Sequence, residues 1–301
     1  MQVSKNNILH GLAYALGEDA LEYGSANGFE ALKLPNRPAL WGWGQYRRAT
    51  SLVLDLQLAA ARGALANAGL DPLEIDGVLF CHAISPVHER DATASACRFL
   101  VELGLDNAFP ITLGFNGCAA MLSGVTTADG LLRSGRFRNL LVVAGDVHPE
   151  AEARFLRYAI FSDAACACVM SANSASGYEL IGSAMAADNK TMSADATFSS
   201  ELAMQTNQAL LGMGQLQAPG VARVFCNNVF LPITMLKETE GGFEPDQIYT
   251  GNVNRIAHCY SADALINLCD YAAAGAVEPG DYFVAASDSP GLRASLLLRA
   301  I

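Results

Sequence analysis

The feature that most constrains this chain is the length of its apolar runs. They are short, bounded by turn residues, and alternate with helix-length stretches rich in Ala and Leu. Asp76-Gly-Val-Leu-Phe-Cys81, Asn139-Leu-Leu-Val-Val-Ala-Gly145 and Ala165-Cys-Ala-Cys-Val-Met170 have the length of buried strands rather than helices. The Leu and Ala residues from Thr50 to Ala68 predict a helix, capped by Thr50 or Ser51 and stopped by Gly69. Ala119 to Ser134 reads as a second helix, with Gly135 beyond its end. Strands alternating with helices imply an α/β fold whose parallel or mixed sheet is covered by helices on its faces. The opening segment, as far as Trp41-Gly-Trp43, shows no sustained period and reads as loop-rich.

The same order of elements recurs downstream. Val221 to Phe225 parallels the strand at 76 to 81, and Ala262 to Ala274 parallels the central helix. Asp281 to Ser287 parallels 139 to 145, and Ala294 to Arg299 parallels 165 to 170. A repeated order across two halves predicts a duplicated α/β unit, divided into residues 1–172 and 173–301. The boundary falls near Ser171 to Gly177, where Ser, Ala, Asn and Gly crowd together. Half of the 301 residues are apolar, enough for one large core or two fused smaller ones.

Charge and cysteine usage narrow the functional classes. A formal charge of −11 repels phosphate backbones and anionic membranes, so nucleic acid and membrane are poor partners. Asp, Arg, Gly or Pro interrupts each apolar segment before it reaches the roughly 20 residues of a membrane span. Eight cysteines lie scattered through apolar runs, with no zinc-type spacing and no charged, apolar leader ahead of them. These features predict a reduced, cytoplasmic protein with no metal.

One cysteine stands apart. Phe115-Asn-Gly-Cys118-Ala-Ala-Met-Leu places Cys118 between a glycine turn and the start of an Ala-rich helix. Unpaired amides and the positive end of the helix favour a thiolate there, and the same amides suit an oxyanion formed by attack on a thioester. The bland reading of a buried cysteine is a small hydrophobe.

Asn116-Gly-Cys118-Ala-Ala resembles the nucleophile segment of the ketosynthase III family of the thiolase superfamily, with Gly117 where that family usually has alanine. The resemblance continues in order through Leu131-Leu-Arg-Ser-Gly135, Leu141-Val-Val-Ala-Gly-Asp146, Phe161-Ser-Asp-Ala-Ala165, Val277-Glu-Pro-Gly-Asp281 and Gly291-Leu292. It implies a thiolase-like fold, two duplicated α/β halves in a layered α-β-α-β-α architecture. It also implies an enzyme of fatty-acid-like, polyketide-like or specialised-metabolite biosynthesis that takes an acyl group from acyl-CoA or acyl carrier protein onto Cys118. No permanently bound cofactor is implied; the coenzyme A or phosphopantetheine thioester is substrate. Family members are dimers joined sheet to sheet, so the resemblance implies a homodimer, or a heterodimer, and the short strand near 107 to 113 offers the edge.

The pattern breaks at two places. The family's site histidine is replaced by Phe225-Cys-Asn227-Asn228-Val-Phe230, and the site asparagine falls in Ile256-Ala-His258-Cys-Tyr-Ser-Ala-Asp263. His258 and Asp263 resemble the partners of cysteine in related acyltransferases that use Cys, His and Asp and acylate an alcohol or amine. Imidazole suits a base near neutrality; the competing readings are a packed histidine and a helix-capping acid. Asn227, Asn228 and Gly291 are candidates for oxyanion or substrate contacts. Trp43 and Arg47 fall where the family grips coenzyme A, with a plain surface role as the alternative. His82, His88 and His148 occupy loops after strands. The missing histidine also admits a non-catalytic partner subunit of a heterodimeric ketosynthase.

Overall fold

The computed structural model describes residues 6–27, 33–84, 92–150, 154–192 and 198–301. Its strands are β1 (Ile8–Leu16), β2 (Asp19–Glu22), β3 (Gln45–Arg48), β4 (Gly77–Cys81), β5 (Phe109–Leu113), β6 (Asn139–Asp146) and β7 (Ala164–Ser171). The second half supplies β8 (Tyr178–Ala187), β9 (Arg223–Phe225), β10 (Ile248–Tyr249), β11 (Tyr282–Ser289) and β12 (Leu292–Ala300). The main helices are α1 (Val53–Ala68), α2 (Ala92–Leu103), α3 (Ala120–Arg133), α4 (Ser200–Gly214), α5 (Leu231–Glu240) and α6 (Asp263–Ala273).

Period-two alternation decides the layers. On β4, β6 and β7, residues such as Leu79, Val142 and Cys168 face the helices α3 and α6. Their neighbours Val78, Val143 and Ala167 face α1 and α2 on the other side. In the second half, Phe225, Phe283 and Leu296 turn towards α3 and α6, while Val224, Val284 and Leu297 turn towards α4. Two helices are therefore buried between two sheet regions, with further helices outside: the α-β-α-β-α layering of the thiolase-like fold.

Ten strands form the sheet in the order β10-β9-β11-β12-β8-β1-β7-β6-β4-β5. Outward from the middle, the first half runs β1-β7-β6-β4-β5 and the second repeats it as β8-β12-β11-β9-β10. Directions repeat too: β4 is parallel to β5 and β6, and β9 is parallel to β10 and β11. Within the sheet the halves join where β1 pairs with β8, Ile8 with Glu179 and Leu9 with Tyr178.

Several elements depart from the sequence reading. The opening segment is not a loop: β1 lies at the centre of the sheet. Its pattern was disguised by an irregularity between His10 and Ala13, where Gly11 takes a φ of +60° and lies so close to α1 that a Cβ would sit 2.5 Å from the Ala64 carbonyl. α1 starts at Val53, because Glu18 captures the Thr50 amide and the Ser51 hydroxyl. The Leu52 amide instead donates to Asp55 at 3.1 Å. α2, α4, α5 and β8 carry too many small or polar residues to announce themselves by periodicity alone. Among the described residues, no helix is long and apolar enough to cross a membrane.

Candidate active site

The nucleophile turn is built by two residues in the left-handed region. Phe115 and Gly117 have φ of 66° and 51°, folding the chain into the short turn Gly117–Ala119 that runs into α3. Cys118 thus stands at the positive end of that helix, where the first amides lack intrahelical acceptors. It keeps 9% of its exposure, in contrast to the sealed Cys81, Cys166 and Cys168. The Ser287 hydroxyl on β11 donates to the Cys118 carbonyl at 2.6 Å, tying the turn to the second half. A Cβ on Gly117 would lie 2.2 Å from the Ser289 Oγ, so this close approach requires glycine where the ketosynthase III pattern has alanine.

His258 reaches the thiol from the other half, its backbone clamped to the Phe161 segment. Its amide donates to the Ile160 carbonyl and its carbonyl accepts from the Ser162 amide, each at 2.9 Å. The flanking Ala257 and Tyr260 hold φ of 54° and 53°, a conformation costing non-glycine residues about 1–3 kcal/mol each. The reward is placement: Nε2 lies 3.3 Å from the Cys118 Sγ, and Nδ1 contacts Asp263. An acceptor-only carboxylate at Nδ1 keeps a proton there, so Nε2 is the nitrogen that exchanges a proton with the thiol.

Asp263, the first residue of α6, is fully buried and receives four donors. Oδ1 accepts from the Cys259 amide at 2.7 Å and the Asn228 side chain at 3.1 Å. Oδ2 accepts from the Asn228 amide at 2.7 Å and from His258 Nδ1. Burial alone disfavours a charged imidazole, but Asp263 and Cys118 outweigh it and raise His258 to about 10. The imidazolium formed when Nε2 takes the thiol proton is therefore stabilised. Nearby Asp146 is pushed up to about 6 by burial, opposed by the amides of Ile84 and Ala83 and by His258. Apolar and aromatic side chains, including Ala159, Phe161, Val229 and Tyr260, pack around Cys118, and the Phe161 ring lies 4.8 Å from that of His258.

The other candidate residues fall elsewhere. Asn228 braces Asp263 rather than presenting its amide to Cys118. Asn227 donates to Ser287 at 3.1 Å and accepts from the Asp288 amide at 2.6 Å, so both ends of its amide are engaged within the fold. Gly291, at φ 71°, packs against Asp188 and Met192 in the β11–β12 turn. Trp43 is not a surface platform: it is buried among Tyr23, Trp41, Phe155 and Phe230. Arg47 uses its backbone to bind Ser162 and Asp163, beside the His258 clamp. His148 lies 5.7 Å ring to ring from Phe161. His82 follows β4 and donates its amide to Leu113 at 3.1 Å; His88 lies outside the described residues.

Ser287 was not singled out from sequence. Period two supplied the signal, since Ser287 shares the inward face of β11 with Phe283 and Ala285 and is a hydroxyl among apolar neighbours.

Residues 115–189 match the family described as 3-oxoacyl-[acyl-carrier-protein (ACP)] synthase III. Beta-ketoacyl-[acyl-carrier-protein] synthase III 1 of Lactiplantibacillus plantarum is 34% identical over 94 residues, 31% of this chain and 28% of that protein. The chain thus matches less than a third of the length of such curated relatives. The structure of 3-oxoacyl-(acyl carrier protein) synthase III, FabH, from Pseudomonas aeruginosa PAO1 superposes with a TM-score of 0.79 at 21% identity, covering 98% of both chains. The chain is ketosynthase III-like. ChlB3, described as an acyltransferase, shares the fold equally well, with a TM-score of 0.82, 16% identity and 98% coverage of each chain. The matched segment of this ketosynthase III-like chain contains Cys118 and the Phe161 clamp, while Asn227, Asn228, His258 and Asp263 all lie beyond it. Apart from Gly117, the departures from the family pattern noted above therefore fall in the half that faces the nucleophile.

Proposed function

We propose that this protein is an acyl-thioester transferase that loads an acyl group from acyl-CoA or an acyl carrier protein onto Cys118 and passes it to an alcohol or amine. The observation that carries this reading is the continuous contact from Cys118 through His258 to Asp263. Nε2 takes the thiol proton as sulfur attacks the thioester carbonyl, and returns it to the departing pantetheine thiolate. An incoming O–H or N–H group then gives its proton to Nε2 while attacking the acyl-cysteine, regenerating the cysteine as ester or amide forms. The positive end of α3, at Cys118, would favour the oxyanion in both steps. The first half, 1–172, supplies the nucleophile; the second, 173–301, supplies the base and its acid.

Heteroatom transfer is favoured over decarboxylative condensation because the segment that would hold a second donor beside the thioester enolate has Asn227 and Asn228 turned to other partners. ChlB3, named as an acyltransferase, supplies a precedent on this fold. A non-catalytic subunit would have no use for a base held 3.3 Å from a thiol by strained backbone. For assembly we propose a homodimer through β5, which ends the sheet and exposes Phe109.

The test is intact-mass analysis after incubation with short acyl-CoA thioesters. Wild-type protein is expected to gain one acyl mass that Cys118→Ala abolishes, and to lose it on addition of an acceptor amine or alcohol. Absence of an adduct with any acyl-CoA or acyl-carrier donor would overturn the reading.

A further inference from the structure

Asp263 is not held by its immediate neighbours alone. The Asn228 Oδ1 accepts from Asn267 Nδ2 at 3.0 Å, and Asn267, one turn along α6 from Asp263, also donates to the Cys226 backbone carbonyl at 2.9 Å. The Asn267 Oδ1 in turn accepts from Asn252 Nδ2 at 2.8 Å, and Asn252 donates to Asp270 at 2.7 Å. Asn228, Asn252 and Asn267 are all buried. Asp270 additionally receives the Tyr14 hydroxyl at 2.6 Å and pairs with Arg255. It borders a cavity of about 430 Å³ between β1, β8 and α6, remote from Cys118 along this chain.

We infer that Asn228 and Asn267 are positioning residues that fix Asp263 beneath His258. This rests on the reading of Cys118, His258 and Asp263 as one reactive unit. Each amide in the run has its donor end towards Asp263, so Asn267 polarises Asn228 and strengthens the donor that reaches the carboxylate. Asn228 has a further task that its position in the chain conceals. It belongs to the segment Cys226-Asn227-Asn228, where the ketosynthase III pattern brings a histidine to the thioester, and here Asn228 serves the acid instead. The histidine function has moved to 258, and Asn228 together with Asn267 supplies the rigid backing the new position needs. A carboxylate free to rotate would exchange His258 for the Cys259 amide; four donors in fixed directions prevent it.

The groups facing His258 are Cys118 from the nucleophile turn, Asp263 from α6, Asp146 from β6, and the rings of Tyr158 and Tyr260. Of these groups Asp263 is the one bonded to Asn228, and Asn267 reaches it through Asn228. Weakening that support should lower the stability of the imidazolium and make the Cys118 thiolate form less readily.

The experiment follows the alkylation rate of Cys118 by iodoacetamide across pH, read on the Cys118 peptide by mass spectrometry in the intact folded protein. It needs no acyl donor, so it can succeed where the transferase reading fails, and the reverse. Asn228→Ala is expected to slow alkylation near neutral pH about tenfold, as befits a hydrogen bond to a charged group, and to move the half-maximal rate to higher pH. Asn228→Asp, which keeps the shape but sets a second carboxylate against Asp263, should be slower still and recover as the pH falls. Asn267→Ala should show a smaller shift that vanishes in the Asn228→Ala background, because it acts through Asn228. Variants that lower the thermal midpoint yet keep the wild-type alkylation profile would overturn the proposal, as would independent, additive effects of the two asparagines.

Discussion

Two buried ionic assemblies lie side by side in the second half, and they differ in how they end. Around Arg293 the guanidinium binds Glu238 with two bonds of 2.9 Å and Asp288 at 3.0 Å, while Lys237 pairs with both acids. Thr206 and Asn207 take the remaining guanidinium donors at 2.9 and 3.2 Å. Two cations face two anions, and the network closes on itself. The assembly on Asp263 instead runs through His258 to a sulfur that retains 9% of its exposure. Burial of charge is therefore no mark of a reactive site by itself. The distinguishing feature is a network that leaves a nucleophile as its last, reachable member.

Replacing the imidazole should break the open network most visibly. His258→Gln is expected to slow acyl transfer by about 10²–10⁴, the usual worth of a positioned acid–base group, measured as adduct turnover by intact mass. The same variant has a pH signature in folding. Because the folded value of His258 is raised to about 10 from 6.5, its contribution to stability is fully present below pH 6.5 and lost as pH rises through about 10. The urea-unfolding difference between wild type and His258→Gln should therefore narrow across that window; a constant difference would contradict the assignment.

The closed network should fail in the opposite way. Arg293→Met removes one cation and strands its partners, so about 3–5 kcal/mol of stability should be lost, read by denaturant unfolding. Adduct formation per folded molecule should stay near wild type. The smallest effect is expected between the two, where β11 touches the nucleophile turn. Gly117→Ala must displace Ser289 and strain a positive φ, which should cost about 1–3 kcal/mol. A slower adduct rate at Cys118 would accompany that loss, whereas an undisturbed rate would show that the turn tolerates the methyl group.

Sequence patterning revealed the open network better than the closed one. Cys118 was singled out because a glycine turn before an Ala-rich run is a local signal, and Asp263 through the resemblance to acyltransferases that use Cys, His and Asp, with a helix-opening acid as the competing reading. The Phe161 motif was visible, but its use as a clamp for His258 depends on a pairing across nearly a hundred positions, which no local pattern records. Asn228 was noticed and its partner could not be, since the bond to Asp263 depends on the packing of β9 against α6. β1 was hidden by its own irregularity, and Trp43, assigned to coenzyme A contact by the resemblance or else to a surface role, has its ring in a core cluster. Lys237 and Glu238 lie on α5, Asp288 on β11 and Arg293 on β12, and these elements meet only once the chain has folded.

The repeated strand order gives α3 and α6 equivalent places in the two halves. One copy opens on a thiol and the other on an acid. An ancestral unit that merely tolerated an anion at this tip would, once doubled, offer two such tips to a single ring set between them, and division of labour would need only a few side-chain changes. On the proposed reading, neither half should be reactive when expressed alone: severed, each keeps one pole of a circuit that exists only across the seam.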